Sequence, residues 1–452
     1  MKKEALLLLG SIVATLLIAL GLLRWQAPGL LGGPTDLQLV QLDTKLPAYY
    51  SGIFREADAS SDGFLLKDPL TRVRARPFYP RYRDLGPHDI LGFRNRGVPV
   101  VADIVTIGDS MTYGNNATLE QNWPSCLATN LEAKHPGIYN MSTGGWAAVQ
   151  YLDMFSYALA FRPRVVIVAF YSGNDPLESF QMAYGNQHWQ SLIPDPALSA
   201  ADIPAVAGTE NTDDRWDMAF RGGVHTIFTP RYRLASNDAH PVVTAGYAIM
   251  ANVAARIAGL AQVNGVEVIF TIIPTKELVY AARVEAEGVA APADYNRLVT
   301  SERGRIADLR SRLESLPGAR YVDLLEPLQQ AALGELSLYP ETVNGHPVAA
   351  GYEVIGSELA RVVADLLPAS PCGLFALMDD DTFNVLLVNR NGVWYFNSPE
   401  LIEANGWPPE ELPTIALRDI LELPHRGVVG SIDPARFGPA SCREQQAALS
   451  QP

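Results

Sequence analysis

Apolar residues change their pattern twice along this chain, first near the amino end. An uncharged stretch runs without interruption from Ala5 to Leu23, between Glu4 and Arg24. As a helix it would extend roughly 28 Å at about 1.5 Å per residue, close to the ~30 Å of a membrane's hydrocarbon core. Because no small-residue cleavage site follows, residues 1–30 favour a retained transmembrane signal-anchor over a cleaved signal peptide. The preceding lysines predict a cytoplasmic N-terminus, with the rest of the chain periplasmic or extracellular.

The second change of pattern comes at about residue 96. Residues 31–95 are interrupted by prolines and are typical of a linker or a wrapping segment. From 96 to 370, short β-branched runs alternate with helical stretches, which predicts an α/β domain with a parallel sheet and helices on both faces. The five predicted strands are Asp103–Ile107, Ile138–Met141, Arg164–Tyr171, Glu267–Ile273 and Arg320–Leu324.

Helices are predicted between these strands, and one connection is unusually long. The predicted helices are Asn122–Ala133, Val149–Ala160, Val242–Gln262, Thr300–Ser315 and Ala349–Leu366. About 90 residues separate the third strand from the fourth, far more than a connection needs. Residues 176–240 are therefore predicted to be an insertion over the carboxyl edge of the sheet, and residues 371–452 a small C-terminal accessory module.

Composition narrows the classes of function. The 452 residues carry 35 basic and 49 acidic side chains, and the net charge of −14 disfavours nucleic acid as a partner. With 48% apolar and 19% charged residues, the composition excludes a disordered chain or a fibre. Cys372 and Cys442 flank the C-terminal module, and the sequence leaves open whether they form a disulfide. The sequence does not indicate an oligomeric state.

A serine follows the first predicted strand directly. In the run Gly108-Asp109-Ser110, the serine is placed at the carboxyl edge of the sheet, where open α/β folds bind ligands. A serine hydroxyl becomes a nucleophile only when a base takes its proton. The pattern therefore predicts a nucleophilic serine whose base comes from elsewhere in the chain.

Four segments, in order, resemble the motif blocks of the SGNH/GDSL hydrolases. They are Gly108–Gly114, Tyr139–Gly145, Ser172–Asp175 and His346-Pro347. The resemblance covers roughly residues 90–370. It implies a three-layer α/β/α, flavodoxin-like fold with a five-stranded parallel sheet, and the activity of a serine esterase or acyltransferase.

The resemblance also implies an oxyanion hole, a set of hydrogen-bond donors that stabilises the negative charge formed during attack on an ester. Its donors would be the backbone N–H groups of Ser110 and Gly145 and the side-chain amide of Asn174. One such donor is typically worth about 3–4 kcal/mol of barrier. Asp109 and Asp175, which lie next to Ser110 and Asn174 within these motifs, are expected to have supporting roles.

The catalytic base implied by the resemblance is His346, and here the sequence departs from the family. The family has an aspartate two or three residues before this histidine, whereas this chain has Asn344 at one of those positions. Loss of the carboxylate weakens stabilisation of the imidazolium. In a related triad, the corresponding loss lowers kcat by up to about 10⁴-fold. Three alternatives follow: Glu341 replaces the aspartate, Ser110 and His346 work as a dyad supported by Asn344, or the protein has lost catalysis.

We therefore predict a membrane-anchored serine hydrolase of O-acyl, acetyl-type esters on an envelope glycan or lipid, acting through an acyl-Ser110 intermediate. The alternatives are an O-acyltransferase acting on an extracytoplasmic polysaccharide, and a catalytically weakened protein that binds a glycan or another ligand. The histidines show no paired ligand spacing, so no metal site is predicted, and no cofactor is expected.

Overall fold

A computed structural model of the chain describes residues 63–81, 85–98, 102–131, 136–161, 163–204 and 214–367. Beyond them it describes the backbone of five short strands between residues 375 and 428. The predicted anchor at residues 1–30 and the cysteines Cys372 and Cys442 lie outside the described residues, so the anchor and the possible disulfide stay predictions.

The strands and helices are numbered along the chain. The strands are β1 (Leu65–Asp68), β2 (Arg72–Ala75), β3 (Ile104–Gly108), β4 (Ile138–Ser142), β5 (Val165–Tyr171), β6 (Trp216–Ala219), β7 (His225–Phe228), β8 (Glu267–Ile273), β9 (Ala319–Val322), β10 (Phe375–Asp379), β11 (Val385–Asn389), β12 (Gly392–Tyr395), β13 (Thr414–Ile415) and β14 (His425–Val428). The α-helices are α1 (Ser110–Tyr113), α2 (Trp123–Asn130), α3 (Ala148–Ala158), α4 (Asp175–Gly185), α5 (Pro230–Leu234), α6 (Pro241–Asn264), α7 (Lys276–Val279), α8 (Ala281–Ala286), α9 (Ala293–Glu314), α10 (Leu325–Ala332) and α11 (Ala349–Leu366).

A five-stranded parallel sheet forms the centre of the domain and confirms the predicted α/β fold. Its strand order is β4-β3-β5-β8-β9, and every neighbouring pair is parallel. After β3 the chain adds β4 on one side, and it then places β5 on the other side. In open α/β sheets the crevice at such a reversal, at the carboxyl ends of the strands, is where ligands bind.

Both faces of the sheet are covered, as the continuous apolar runs of its strands require. All seven residues of β5 are buried. On one face, Ile167 belongs to a core cluster with Trp123 of α2 and Ile355 of α11. On the other face, the ring of Phe170 lies 5.8 Å from Tyr151 of α3. The alternation of side chains along β5 therefore fills two separate helix–sheet interfaces.

Among the described residues, only α6 is long and apolar enough to cross a membrane. Within the stretch that passes this test, 61% is buried inside the protein. The helix packs against α3 and α4, so its apolar surface is occupied by the core of the domain. It gives no support to membrane attachment.

The segment before β3, predicted as a linker or wrap, contacts the domain closely where it is described. The indole N–H of Trp146 donates to the carbonyl of Val73 in the β1–β2 hairpin at 2.7 Å. Arg94 is 1% exposed, and it donates to the carbonyls of Gly114 at 2.7 Å and Ala117 at 2.9 Å. The segment therefore supports the loop that follows the candidate nucleophile.

Two further pieces complete the described architecture. The predicted insertion contains α4, an antiparallel hairpin of β6 and β7, and α5. The C-terminal strands form a separate sheet in the order β13-β10-β11-β12-β14, with antiparallel pairs at its centre and a parallel pair at each edge. The domain boundaries drawn from the sequence stay predictions.

Candidate active site

Ser110 lies at the junction of β3 and α1, on the sheet edge that the sequence predicts. Asp109 caps this short helix by accepting the N–H of Met111 at 2.8 Å. A Cβ atom on Gly108 would collide with the side chain of Thr112, so the sharp turn requires glycine there. Ser110 itself is only 9% exposed, so most of its surface is covered by the surrounding residues.

His346 meets Ser110 across 236 residues of sequence. Its Nε2 atom lies 2.7 Å from Ser110 Oγ, which is hydrogen-bond distance. The histidine follows the loop after α10 and precedes α11, so the packing of α11 against α2 brings it to the serine. A hydroxyl and an imidazole in this contact form the nucleophile and base pair of serine hydrolases.

Asn344 contacts the other ring nitrogen of His346. Its Oδ1 atom lies 2.6 Å from Nδ1 of His346 and also accepts the backbone N–H of His346 at 3.0 Å. Since a backbone N–H can only donate, this contact identifies the acceptor end of the amide. Nδ1 must therefore carry the ring proton, which leaves the lone pair of Nε2 facing Ser110. This is the tautomer that a general base needs.

Asn116, which the sequence analysis missed, fixes the other end of that amide. The Nδ2 group of Asn344 donates to Oδ1 of Asn116 at 2.9 Å, and Nδ2 of Asn116 donates to the carbonyl of His346 at 3.0 Å. The residue has a positive φ of 67°. Asparagine tolerates this conformation better than most residues. The sequence signal that could have identified Asn116 was its position in the loop after the first motif block.

Glu341 contacts a histidine other than the base, so the alternative in which it replaces the aspartate receives no support. Its carboxylate lies 3.8 Å from Nδ1 of His225, and its side chain is 69% exposed. Of the two replacements considered, Asn344 is the one that the structure brings to the ring.

The proposed oxyanion-hole residues follow the ends of neighbouring strands of the sheet. A Cβ on Gly144 would come 3.8 Å from Ser110 Cβ, and the adjacent Gly145 has a φ of +78°, a conformation that favours glycine. Asn174 follows β5, the strand beside β3. Its Oδ1 atom is buried and has no hydrogen-bond partner among the described residues.

Beneath the site lies a buried acidic cluster that includes both supporting aspartates. Burial raises the pKa of Asp109 to about 7, an effect that the N–H of Met111 opposes. Burial also raises the pKa of Asp175, and the Asp109 carboxylate raises it further. Tyr151 donates to Asp175 at 3.0 Å. These carboxyl groups are held inside the fold, where they anchor the ends of β3 and β5.

Lys276 supports the loop that carries the base, and the sequence analysis missed it too. It is fully buried, and its ammonium donates to the carbonyls of Thr342 at 2.7 Å and Asn344 at 3.2 Å. Burial lowers the pKa of Lys276 to about 8. Its position just after β8, at the edge that also carries Ser110, was the only available signal.

Glu302 links two strand ends behind the site and should make stability depend on pH. It accepts the hydroxyl of Ser172 at 2.5 Å and the N–H of Thr275 at 2.8 Å, and burial raises its pKa to about 7. A raised pKa means that the folded protein binds this proton more tightly than the unfolded chain. The stabilisation is therefore complete below about pH 4.5 and is lost as the pH rises through about 7.

We expect Glu302→Gln to keep these hydrogen bonds and remove the titration. Between pH 5 and 8, the free energy of unfolding of the wild type should fall by about 1–3 kcal/mol more than that of the variant. Denaturant unfolding, followed by tryptophan fluorescence at each pH, measures the free energy of unfolding of the two proteins. Glu285→Gln, on the exposed surface of α8, is the matched control and should behave like the wild type. If the free energy of unfolding changed with pH equally in the wild type and in Glu302→Gln, Glu302 would not be the source of the pH dependence.

The chain is similar to known proteins in sequence and in fold. The model of the GDSL-like lipase/acylhydrolase family matches residues 106–354, more than half of the chain. No curated protein sequence matches the chain. Among solved structures, a GDSL-like lipase from Bacteroides thetaiotaomicron is 14% identical with a TM-score of 0.31, and the match covers 58% of this chain and 88% of that one. An acetylxylan esterase from Geobacillus stearothermophilus is 11% identical with a TM-score of 0.33, covering 58% and 94%.

Proposed function

Because this chain belongs to the GDSL-like lipase/acylhydrolase family, we propose that it is a serine esterase that hydrolyses O-acyl esters through an acyl-enzyme on Ser110. The observation that carries this proposal is the 2.7 Å contact between Ser110 Oγ and His346 Nε2. A serine with a base in this contact, at the carboxyl edge of a parallel sheet, has the arrangement that acyl transfer needs.

The reaction begins when His346 Nε2 takes the proton of Ser110 as its oxygen attacks the ester carbonyl carbon. The carbonyl π electrons move to the oxygen and form a tetrahedral intermediate. Its collapse breaks the bond to the alcohol oxygen, which receives the proton from Nε2 and leaves. Water then attacks the acyl-enzyme in the same way. This releases the carboxylic acid and restores the Ser110 hydroxyl.

The oxyanion would be stabilised by the N–H of Ser110, the N–H of Gly145 and the amide of Asn174. These groups come from the ends of β3, β4 and β5, which are neighbours in the sheet. Preorganised donors need little rearrangement when charge develops, so they stabilise the transition state more than the ground state. In this arrangement, each donor lies within three residues of the end of its strand.

Asn344 would take the place of the family's aspartate as the group that orients His346. It selects the ring tautomer through a neutral hydrogen bond, and Asn116 holds it in that orientation. What it does not supply is a negative charge to stabilise the imidazolium formed during attack. We therefore infer a working dyad with an amide support, and a lower rate than a full triad would give.

For the substrate, we propose small acyl esters, of the acetyl type, on a glycan or lipid of the cell envelope. The location rests on the apolar stretch from Ala5 to Leu23, which predicts an anchor with the catalytic domain outside the cytoplasm. The same acyl-enzyme would act as an acyltransferase if a sugar hydroxyl reacted faster than water. A protein that binds but does not turn over its ligand is the third alternative, suggested by Asn344.

The proposal is tested by measuring whether the acyl-enzyme reacts with water or with a sugar hydroxyl. We expect the purified full-length protein in detergent to release acetate from an O-acetylated polysaccharide and from p-nitrophenyl acetate. Added oligosaccharide should leave the ratio of free acetate to nitrophenol near one. Transfer of most acetyl groups to the oligosaccharide, measured by mass spectrometry, would favour the acyltransferase instead. Binding of the polysaccharide without acetate release would favour the binding protein.

A further inference from the structure

A buried cation lies next to the loop that carries His346, and no carboxylate in the described part of the chain contacts it. Arg233, on α5, is 9% exposed, and its Nε atom is buried without a hydrogen-bond partner. Among the described residues, its guanidinium donates no hydrogen bond and has no carboxylate oxygen within 4 Å. An isolated buried charge costs several kcal/mol, so buried guanidinium groups normally have an anionic partner.

The contacts of Arg233 place it against the catalytic loop. Its Cζ lies 4.8 Å from the ring centroid of Tyr232 and 5.7 Å from that of Tyr171. A Cβ added to Gly345 would collide with Nη2 of the guanidinium and would lie 3.3 Å from the hydroxyl of Tyr171. Gly345 stands between Asn344 and His346. The guanidinium and the phenol are therefore neighbours of the residue just before the base.

The other charged groups of this region make hydrogen bonds elsewhere. Glu277 accepts the N–H of Thr229 at 2.9 Å, Glu302 accepts hydrogen bonds from two strand ends, and Lys276 donates to loop carbonyls. Glu277 also has a buried Oε2 atom without a partner, but the guanidinium does not reach it. The hydroxyl of Tyr171 is likewise buried and unpartnered. Two unused sets of donors, from Arg233 and Tyr171, thus lie side by side.

We propose that Arg233 and the Tyr171 hydroxyl bind a carboxylate on the alcohol part of the substrate, so that the preferred substrates are O-acyl esters of acidic alcohols such as uronic acids. The proposal rests on the esterase function inferred above. His346 must protonate the leaving alcohol, so that part of the substrate lies on the histidine's side of the serine, where Arg233 is found. A planar guanidinium matches the geometry of a carboxylate and can donate two parallel hydrogen bonds to it.

The competing interpretation is that Arg233 is a structural cation stabilised by its aromatic neighbours and by the more distant Glu277 and Glu302. Stacking on exposed rings contributes about 0.5–1 kcal/mol, and more when desolvated. The two interpretations differ in what they require of the substrate. A structural arginine affects all esters alike, whereas a binding arginine distinguishes charged from neutral esters.

The test compares 4-acetoxybenzoate and 3-acetoxybenzoate with their methyl esters on the full-length protein. The quantity measured is the ratio of kcat/KM for the anionic ester to kcat/KM for the neutral one. We expect Arg233→Met to lower this ratio about tenfold or more for at least one isomer. Tyr171→Phe keeps the ring and should lower the ratio about threefold. The control Arg256→Met, on the exposed face of α6, should leave it unchanged.

Because each ratio is compared with the wild type, intrinsic differences in ester reactivity cancel. A ratio that is the same in wild type, Arg233→Met and Tyr171→Phe would overturn the carboxylate proposal while leaving the esterase intact. If Arg233→Met did not fold, an unchanged ratio in Tyr171→Phe would overturn it. Failure of the wild type to hydrolyse even the neutral methyl esters would refute the esterase function, and this proposal with it.

Discussion

Replacing Ser110 by alanine should lower kcat for p-nitrophenyl acetate by at least about 10⁴-fold. The hydroxyl is the atom that forms the acyl-enzyme, and it lies 2.7 Å from Nε2 of His346. Without it, the oxyanion donors can assist only direct attack by water. Stopped-flow and steady-state release of nitrophenol measure the loss, and a fluorophosphonate probe should label the wild type but not Ser110→Ala.

The matched control is Ser191→Ala, because Ser191 is an exposed serine whose hydroxyl only accepts a hydrogen bond from Arg256. This variant should keep the wild-type rate and the labelling. If Ser110→Ala and the wild type hydrolysed the ester equally fast, and neither were labelled, the catalytic proposal would fail. The binding-protein alternative would then gain support.

Much of this site could be predicted from the sequence because its parts lie at the ends of strands. A strand of the parallel sheet is an apolar run, and the residue after it is necessarily at the carboxyl edge. Ser110 was predicted in this way, because β3 is a fully buried strand, whereas Asn174 was identified through its resemblance to a family motif at the end of β5. The central sheet agreed with prediction for the same reason, with boundaries that shifted by at most two residues.

What could not be predicted depends on loops and on side-chain orientation. Asn116 and Lys276 act by hydrogen bonds to a loop more than 60 residues away in sequence, and no periodicity signals such contacts. The competition between Glu341 and Asn344 was undecided because it turns on how tightly one loop bends. Arg233 lies in the long insertion, where sequence patterns indicated only an additional element.

Converting Asn344 to aspartate should raise kcat about 10–100-fold. Part of the benefit of a triad aspartate is the orientation of the imidazole, and Asn344 already supplies that through its 2.6 Å contact with Nδ1. The remaining benefit is charge: a hydrogen bond from the imidazolium to a carboxylate is stronger than one to an amide by about 1–3 kcal/mol. The acidic limb of the rate profile should also move to higher pH, because a carboxylate favours the charged imidazolium.

A double-mutant cycle with Asn116 separates orientation from charge. Asn116→Ala should lower kcat about tenfold in the wild type, because the freed amide of Asn344 can then turn its Nδ2 group towards His346. In Asn344→Asp the same substitution should cost about twofold or less, since a carboxylate presents an acceptor oxygen whichever way it turns. KM should change little in either background. Equal losses in both backgrounds would mean that Asn116 supports the loop without orienting the amide, and no gain from Asn344→Asp would mean that charge does not limit the rate.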